Sequence, residues 1–538
     1  MVDLEQERRL NEREGNDITA SDMVVPAQDS DLLDFYKSST IFITGGTGFL
    51  GKLCLEKLLR ACYDLDKVYI LVRPKKGKDT QKRYEEMFDV PSFDPLRRKH
   101  PNFTEKIRLV NGDVGLPELG MSKEDQELVI AEVNCIFHFA ATVRFDEKLK
   151  LATHINVRGV RELINMAKQM RNLKSFVHIS TAYSNCLQKT IGEQFYEPVI
   201  SGKNLLSLLD CLDDEQLDAI TPSLLGKCPN TYTLTKSVAE SLIREEAKNL
   251  PIAIYRPSIV VGTAKEPVAG YIDNVYGATG VFLGVAVGLL RVLNCRETNH
   301  ADIVPADYVI NGCLAVAWEV ATTKALNDNK EIQDEKSKKY EKLEREIPVY
   351  NYVSTPERPL TWQNFHSLSV KNASQVPSDK VIWHADFRMV ENKTYYSILV
   401  FLLHTVPAYV VDFIAYCLGK KGMLIKGYQK IHKFTNVLAF FCLNEWTFKN
   451  DNTQSLWKRL KPQDKEMFEF SMKSLDWDEY FLTFSKGGRV YILKDPLDTI
   501  PRGRIKYWKL FVAHYVLKMV LLFLFYKLVM FIYGCLFR

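Results

Sequence analysis

The chain has 538 residues, too many for one ordinary core, and its 46% hydrophobic and 25% charged content excludes a disordered protein. A formal net charge of +5 is small for this length and gives no nucleic-acid-binding footprint. The 11 cysteines are scattered without a C-x-x-C pair, which speaks for a reducing compartment and against a disulfide framework or a zinc ribbon.

Residues 1–38 begin MVDLEQERRLNEREGND, too charged for a secretory signal, and are expected to form a flexible tail with room for a short helix. From residue 39, short apolar runs alternate with helix-length segments: TIFIT, KVYILV, KIRLVNGDV, CIFHFAA, SFVHIS and IAIYRPSIVVG. These runs are apolar at nearly every position, so both of their faces must be covered. The stretches between them leave room for crossover helices, as at Thr153–Met170. The expected fold class is therefore α/β, a Rossmann-type doubly wound parallel sheet occupying residues 39–365. The polar stretch Asn327–Glu346 reads as a solvated helix or surface insertion, and beyond about Phe365 the βα rhythm gives way to aromatic-rich helical segments. Residues 366–506 are expected to form a smaller helical domain, and 507–538 a membrane anchor.

The strand TIFIT runs into GGTGFLGK, with Gly45, Gly48 and Gly51 at a spacing of three. In a strand–turn–helix setting, Gly45 can take the positive φ of a tight turn. Gly48 lets backbone amides approach a pyrophosphate, and Gly51 lets the helix pack on the sheet. The helix N-terminus then offers its partial positive charge to the phosphates. The same residues match a P-loop spacing, but Leu53 stands where that loop needs a magnesium-binding hydroxyl. The turn therefore holds a dinucleotide. At the end of the second strand an NAD site would place an acid; here Arg73 stands, followed by Lys75, Lys76 and Lys78, which suits the 2′-phosphate of NADPH. Asp113 and the small Ala140 and Ala141 are expected to line the adenine and ribose.

PNTYTLTKSVAESL supplies Tyr232 and Lys236, four apart on one helix face. An ammonium beside a phenol is expected to lower the phenol pKa and make Tyr232 a usable proton donor. Thr181, with Ser180 beside it, supplies a catalytic hydroxyl on the preceding strand end. His138 and His178, inside apolar strands, read as satisfied core histidines, and Asp302 and Asp307 as structural.

The apolar segment Ser397–Gly419 is interrupted by His404, Pro407 and Asp412 and reads as a core or membrane-surface helix. Met519–Phe537 would be about 28 Å long as a helix, close to one bilayer core. Lys527 in its middle costs about 3 kcal/mol on the insertion scale, against about 5 kcal/mol from the aliphatic and Phe residues. Lys518 and Lys527 lie on opposite faces, so no clean interfacial stripe exists and a tail anchor is favoured over an interfacial or buried helix. The catalytic part is then expected to face the cytosol, at the endoplasmic reticulum or the peroxisome, with no S-K-L or K-D-E-L terminus to choose between them.

TGGTGFLGK and Y-x-x-x-K together resemble the extended short-chain dehydrogenase/reductase superfamily. More narrowly, FHFAATVRFDE, NVRGVREL, HISTAYSN, YTLTK, YRPSIVVG, FFCLNEWTFKNDN and SLDWDEYF resemble the alcohol-forming fatty acyl-CoA reductases, particularly those of insects. The resemblance implies NADPH-dependent reduction of a long-chain acyl-CoA, through an aldehyde, to a primary alcohol at a membrane. It also adds Thr44, Phe49, Leu50, Val114, Asn156 and Pro257 to the expected cofactor-binding set, and gives Lys236 and Tyr232 contacts to the nicotinamide ribose. One departure is Thr181, where the superfamily usually has serine. A membrane-bound relative acting on a sterol or nucleotide-sugar, or a non-catalytic dinucleotide-binding scaffold, fits the glycine turn equally well. The retained Tyr232, Lys236 and hydroxyl argue against the scaffold.

Overall fold

The computed structural model describes residues 29–74, 79–334 and 346–536. Seven parallel strands form its central sheet: β1 Thr40–Thr44, β2 Lys67–Val72, β3 Ile107–Asn111, β4 Cys135–His138, β5 Ser175–Ile179, β6 Ile252–Pro257 and β7 Val349–Tyr352. Their spatial order is β3-β2-β1-β4-β5-β6-β7. The order reverses between β1 and β4, which opens a crevice at the carboxyl ends of those strands. The helices used below are α1 Asp31–Tyr36, α2 Phe49–Ala61, α3 Thr80–Phe88, α4 Gly159–Ala167, α5 Thr231–Glu246, α6 Ala306–Asp334, α7 Lys393–Val400, α8 Val406–Cys417, α9 Leu424–Leu443, α10 Trp477–Gly487 and α11 Ile500–Leu536.

The unbroken apolar strands have the physical cause their pattern suggests. Ile41, Ile43, Val68, Ile70, Cys135, Phe137 and Val177 face one hydrophobic core, while Phe42, Tyr69, Leu71, Ile136 and Phe176 face another. Alternate side chains of each strand therefore enter opposite helical layers, as strand pleating requires.

Two expected boundaries need correction. Residues 31–36, inside the stretch read as a flexible tail, form α1, whose Leu32 and Tyr36 are fully buried. Ser30 caps that helix and donates to Asp464 Oδ1 at 2.5 Å, while the Tyr36 hydroxyl donates to the Leu314 carbonyl of α6 at 2.8 Å. Local composition hides these contacts because the partners lie hundreds of residues away. The rest of the expected tail lies outside the described residues, as do Lys75, Lys76, Lys78 and residues 335–345.

The division at 365/366 does not separate two cores. Ile41 and Phe137 share one cluster with Phe481 and Phe484 of α10. Farther along, Thr447–Phe448 pairs with Thr190–Ile191, Trp446 Nε1 donates to the Cys186 carbonyl at 2.9 Å, and Glu193 Oε1 accepts from Thr453 N at 3.3 Å. The C-terminal helices are thus built onto the sheet domain. Two helices near the C-terminus, Lys393–Cys417 and Leu497–Leu536, are long and apolar enough to cross a membrane by length and composition. Helix α11 begins before the expected anchor, and only Gly503 and His514 are buried along it.

Candidate active site

The glycine turn closes the β1 end of the crevice. Gly45 has φ +74°, and a Cβ there would lie 2.6 Å from Ala140 N, so both backbone conformation and space require glycine. A Cβ on Gly51 would lie 2.3 Å from the Gly45 carbonyl oxygen, so α2 can begin this close to the turn only without a side chain. Gly48 donates to the Gly45 carbonyl at 2.9 Å and caps α2 without a side-chain hydrogen bond. Amides of the first turn, where Phe49 and Leu50 are half-buried, are therefore left to an anion. This cradle fits a dinucleotide diphosphate.

Around the turn the expected residues divide. Thr44 is fully buried and its hydroxyl is engaged by His138 Nδ1 at 2.6 Å, so its contribution is to the floor of the crevice. Arg73 is exposed, with Nη1 3.5 Å from Asp113 Oδ2, and Asp113 Oδ1 accepts from Gly115 N at 3.0 Å. Val114 is buried where its carbonyl meets α4: a Cβ on Gly159 would lie 2.8 Å from that oxygen. Ala140 and Ala141 are half-buried in the loop after β4. Asn156 is a brace: Oδ1 accepts from Thr142 N at 3.0 Å and Nδ2 donates to Thr235 Oγ1 of α5 at 2.9 Å. The Pro257 carbonyl accepts from Ala182 N at 3.0 Å and so fixes the loop carrying Thr181.

A cation missed in the sequence joins Arg73. Arg83 of α3 donates from Nη2 to Thr47 Oγ1 of the glycine turn at 3.1 Å and from Nη1 to the Arg73 carbonyl. Burial and the charge of Arg73 both lower its pKa. Nothing local marked it, because its meaning comes from α3 folding back over the turn.

Helix α5 carries two of the residues expected to be catalytic, Tyr232 and Lys236. Asn230 caps it, accepting from Thr233 N. Tyr232, Lys236 and Glu240 follow at a spacing of four, on one face. The Thr181 hydroxyl lies close enough to the Tyr232 phenol to lower its pKa, and the Tyr232 ring lies 5.7 Å from Phe145. Phe145 in turn meets Phe441 of α9 at 5.5 Å, which makes the wall beside the phenol apolar.

The two hydroxyls expected to share a role are separated. Ser180 donates to Glu240 Oε1 at 2.5 Å and is buried with it, whereas Thr181 reaches Tyr232. Glu240 also accepts from Ser184 at 2.9 Å, from Asn185 at 3.1 Å, and from Arg256 through both carboxylate oxygens. Arg256 is fully buried, so this is a paired and hydrogen-bonded internal charge rather than a surface bridge.

The expected effect of Lys236 on the phenol is also corrected. Burial raises the Tyr232 pKa to about 12, opposed by the Thr181 hydrogen bond. Lys236 Nζ donates instead to the Ile179 carbonyl at 2.7 Å, and burial lowers its own pKa to about 8, opposed by Glu240. The phenol is therefore protonated at neutral pH, the state from which a proton can be given. His138 and His178 are core residues, as expected, but not satisfied ones. They lie side by side on β4 and β5 with rings 5.2 Å apart, and neither nitrogen of His178 has a hydrogen-bond partner among the described residues. Burial and Lys236 lower both pKa values, that of His138 to about 3.

A family description reading "Male sterility protein" matches a dinucleotide-binding region over residues 43–313, and a second of the same description matches residues 403–495. A fatty acyl-CoA reductase from Drosophila melanogaster is 42% identical over 481 residues, covering 89% of each chain. Fatty acyl-CoA reductase 1 from Homo sapiens is 35% identical over 495 residues, covering 92% of each. The chain belongs to the fatty acyl-CoA reductase family. At the level of fold, the reductase domain of a nonribosomal peptide synthetase from Mycobacterium tuberculosis is similar, with a TM-score of 0.55, 16% identity, and coverage of 88% of this chain and 97% of that one. Family membership agrees with the resemblance carried by the glycine turn and the Tyr232–Lys236 pair, and the second match shows that it extends into the C-terminal helices.

Two measurements test this geometry. Thr181→Val is expected to lower turnover about 100-fold with little change in stability. Ser180→Ala is expected to leave the reaction nearly intact but to cost about 1–3 kcal/mol in denaturant unfolding, because Glu240 loses a donor. The histidine pair sets a pH response. Their folded pKa values lie below the unfolded value near 6.5, so the unfolded chain binds more protons below that pH. Thermal stability should hold above about pH 6.5 and decline as pH falls toward 3, with a shallower decline in His178→Asn.

Proposed function

We propose that this chain reduces a long-chain fatty acyl-CoA to the primary alcohol, with NADPH as reductant and the aldehyde as intermediate. The observation that carries this reading is the Thr181–Tyr232 hydroxyl pair beside the apolar wall of Phe145 and Phe441. The names of the relatives along nearly the whole chain supply the substrate class. They favour an acyl thioester over a sterol or nucleotide-sugar.

The glycine turn and α2 would hold the diphosphate, Arg73 and Arg83 the 2′-phosphate, and Lys236 the nicotinamide ribose. A reduced nicotinamide, when bound, supplies hydride to the carbonyl carbon. Thr181 and Tyr232 donate hydrogen bonds to the carbonyl oxygen as it gains charge, a stabilisation that grows toward the transition state. Collapse of the thioester adduct expels the CoA thiolate and leaves an aldehyde, with no enzyme nucleophile involved. In the second reduction the protonated Tyr232 gives its proton to the developing alkoxide. Its raised pKa suits this direction, since the phenol is fully loaded before each turnover. In the cell we place this domain on the cytosolic side of a membrane of the endoplasmic reticulum or peroxisome, held by α11.

Tyr232→Phe is expected to lower NADPH-dependent alcohol formation by about two orders of magnitude, read by mass spectrometry, while NADPH still binds. Wild-type turnover in that variant would overturn the assignment. Arg83→Ala is expected to weaken NADPH binding about tenfold or more and NADH binding little, since it removes a charged hydrogen bond to the 2′-phosphate. Equal losses for both dinucleotides would refute the role given to Arg83.

A further inference from the structure

Helices α7 and α8, joined through a π-helical turn at Phe401–Thr405, form one apolar rod of 25 residues, Lys393–Cys417. Length would let it cross a bilayer, but its attachments forbid that. Tyr396, Leu399, His404 and Ala408 are buried along one face. His404 Nε2, near the middle of the rod, accepts the Arg291 backbone N–H at 3.0 Å. At the far end Asp412 caps α9, accepting from Met423, Leu424 and Ile425 N at 3.0 Å each. Helix α9 exposes Lys426, Gln429, Lys430 and Lys433, so the body to which the rod is fastened cannot enter hydrocarbon.

The opposite face is large and has no partner among the described residues. Tyr395, Ile398, Phe401, Tyr409, Phe413 and Tyr416 are exposed on it, Phe413 by 67% and Tyr416 by 77%. At its end the turn into α9 presents Lys420, Lys421, Lys426 and Lys430, exposed and with no carboxylate partner among the described residues. An apolar, aromatic face bordered by free cations matches a lipid surface carrying negative headgroups. The rod is also tied to the apolar C-terminal helix through its buried side: Lys518 of α11 meets Asp386 at 2.9 Å, and Asp386 meets Arg291, whose backbone holds His404.

We propose that α7–α8 lies in the plane of an anionic lipid leaflet as a second membrane-docking surface, with the lysines of the α8–α9 turn on the headgroups. Helix α9 runs from that turn to Phe441, beside Phe145 and Tyr183. If the reductase reading holds, on which this last step rests, the acyl chain comes to Tyr232 from the leaflet along α9.

The test uses full-length protein in phosphatidylcholine–phosphatidylserine vesicles, with the exposed Cys211, Cys417 and Cys535 replaced by serine. A fluorophore is placed in turn through Tyr395→Cys, Phe401→Cys and Tyr416→Cys, and lipids spin-labelled near the headgroup or deep in the chain serve as quenchers. All three sites should be quenched more by the shallow label than by the deep one. Deep quenching at Phe401 alone would show a crossing helix, and no quenching at any site would show a protein-facing or solvent-facing surface; either result overturns the proposal. Charge reversal of Lys420, Lys421, Lys426 and Lys430 to Glu should roughly halve shallow quenching at Tyr416. Unchanged quenching would remove the headgroup role. The same variant should turn over vesicle-borne acyl-CoA more slowly and micelle-borne acyl-CoA normally, and equal losses in both would overturn the route along α9. Quenching is indifferent to chemistry: intact quenching with no alcohol formed by the unmodified protein would sink the reductase reading alone.

Discussion

The buried pair of Glu240 and Arg256 is the constraint on which the site depends. Neither charge reaches water, and such a pair is tolerable only when most of its hydrogen-bonding capacity is used. Arg256 meets Glu240 through both carboxylate oxygens and donates to the Gly192 and Gln194 carbonyls, while Ser180, Ser184 and Asn185 fill the remaining positions on the acid. Helix α5 is thereby fixed in rotation and height against β5 and β6. Lys236 and Tyr232 lie one and two turns up the same face, so their placement follows from that of Glu240. The Asn156–Thr235 contact ties α5 to the helix after β4. A phenol on a helix fixed in this way has little positional freedom of its own.

Much of the fold was legible because its causes are local. Strands covered on both faces must be apolar throughout, and Phe42 entering a different core from Ile41 and Ile43 is that rule seen in three consecutive residues. Gly45 and Gly51 could be read because the collisions that forbid a side chain there involve the turn itself and the adjacent strand end. The Tyr232–Lys236 pair was legible because helical periodicity alone places both on one face.

What escaped reading involves distance. The choice between Ser180 and Thr181 is made by Glu240, some sixty residues away. The sign of the Tyr232 shift was misjudged because burial outweighs the expected cation, which the Ile179 carbonyl engages instead. Arg83 gains its significance only when α3 lies over Thr47, and Thr44, expected to face the cofactor, is held by His138. The helical C-terminal region looked separable because its composition changes, yet its aromatic residues complete the core begun by β1 and β4.

The Ser30–Asp464 contact carries a consequence for biosynthesis. Its partners are 434 residues apart, which at ordinary ribosomal speeds means an interval of roughly 20 to 90 s between their synthesis. Throughout that time α1 has neither its long-range cap nor the aromatic layer of α10 over the adjoining core. Asp464 precedes α11, which starts at Ile500, by fewer than forty residues. Closure of the aromatic core and emergence of the long, exposed, apolar α11 therefore fall close together in time.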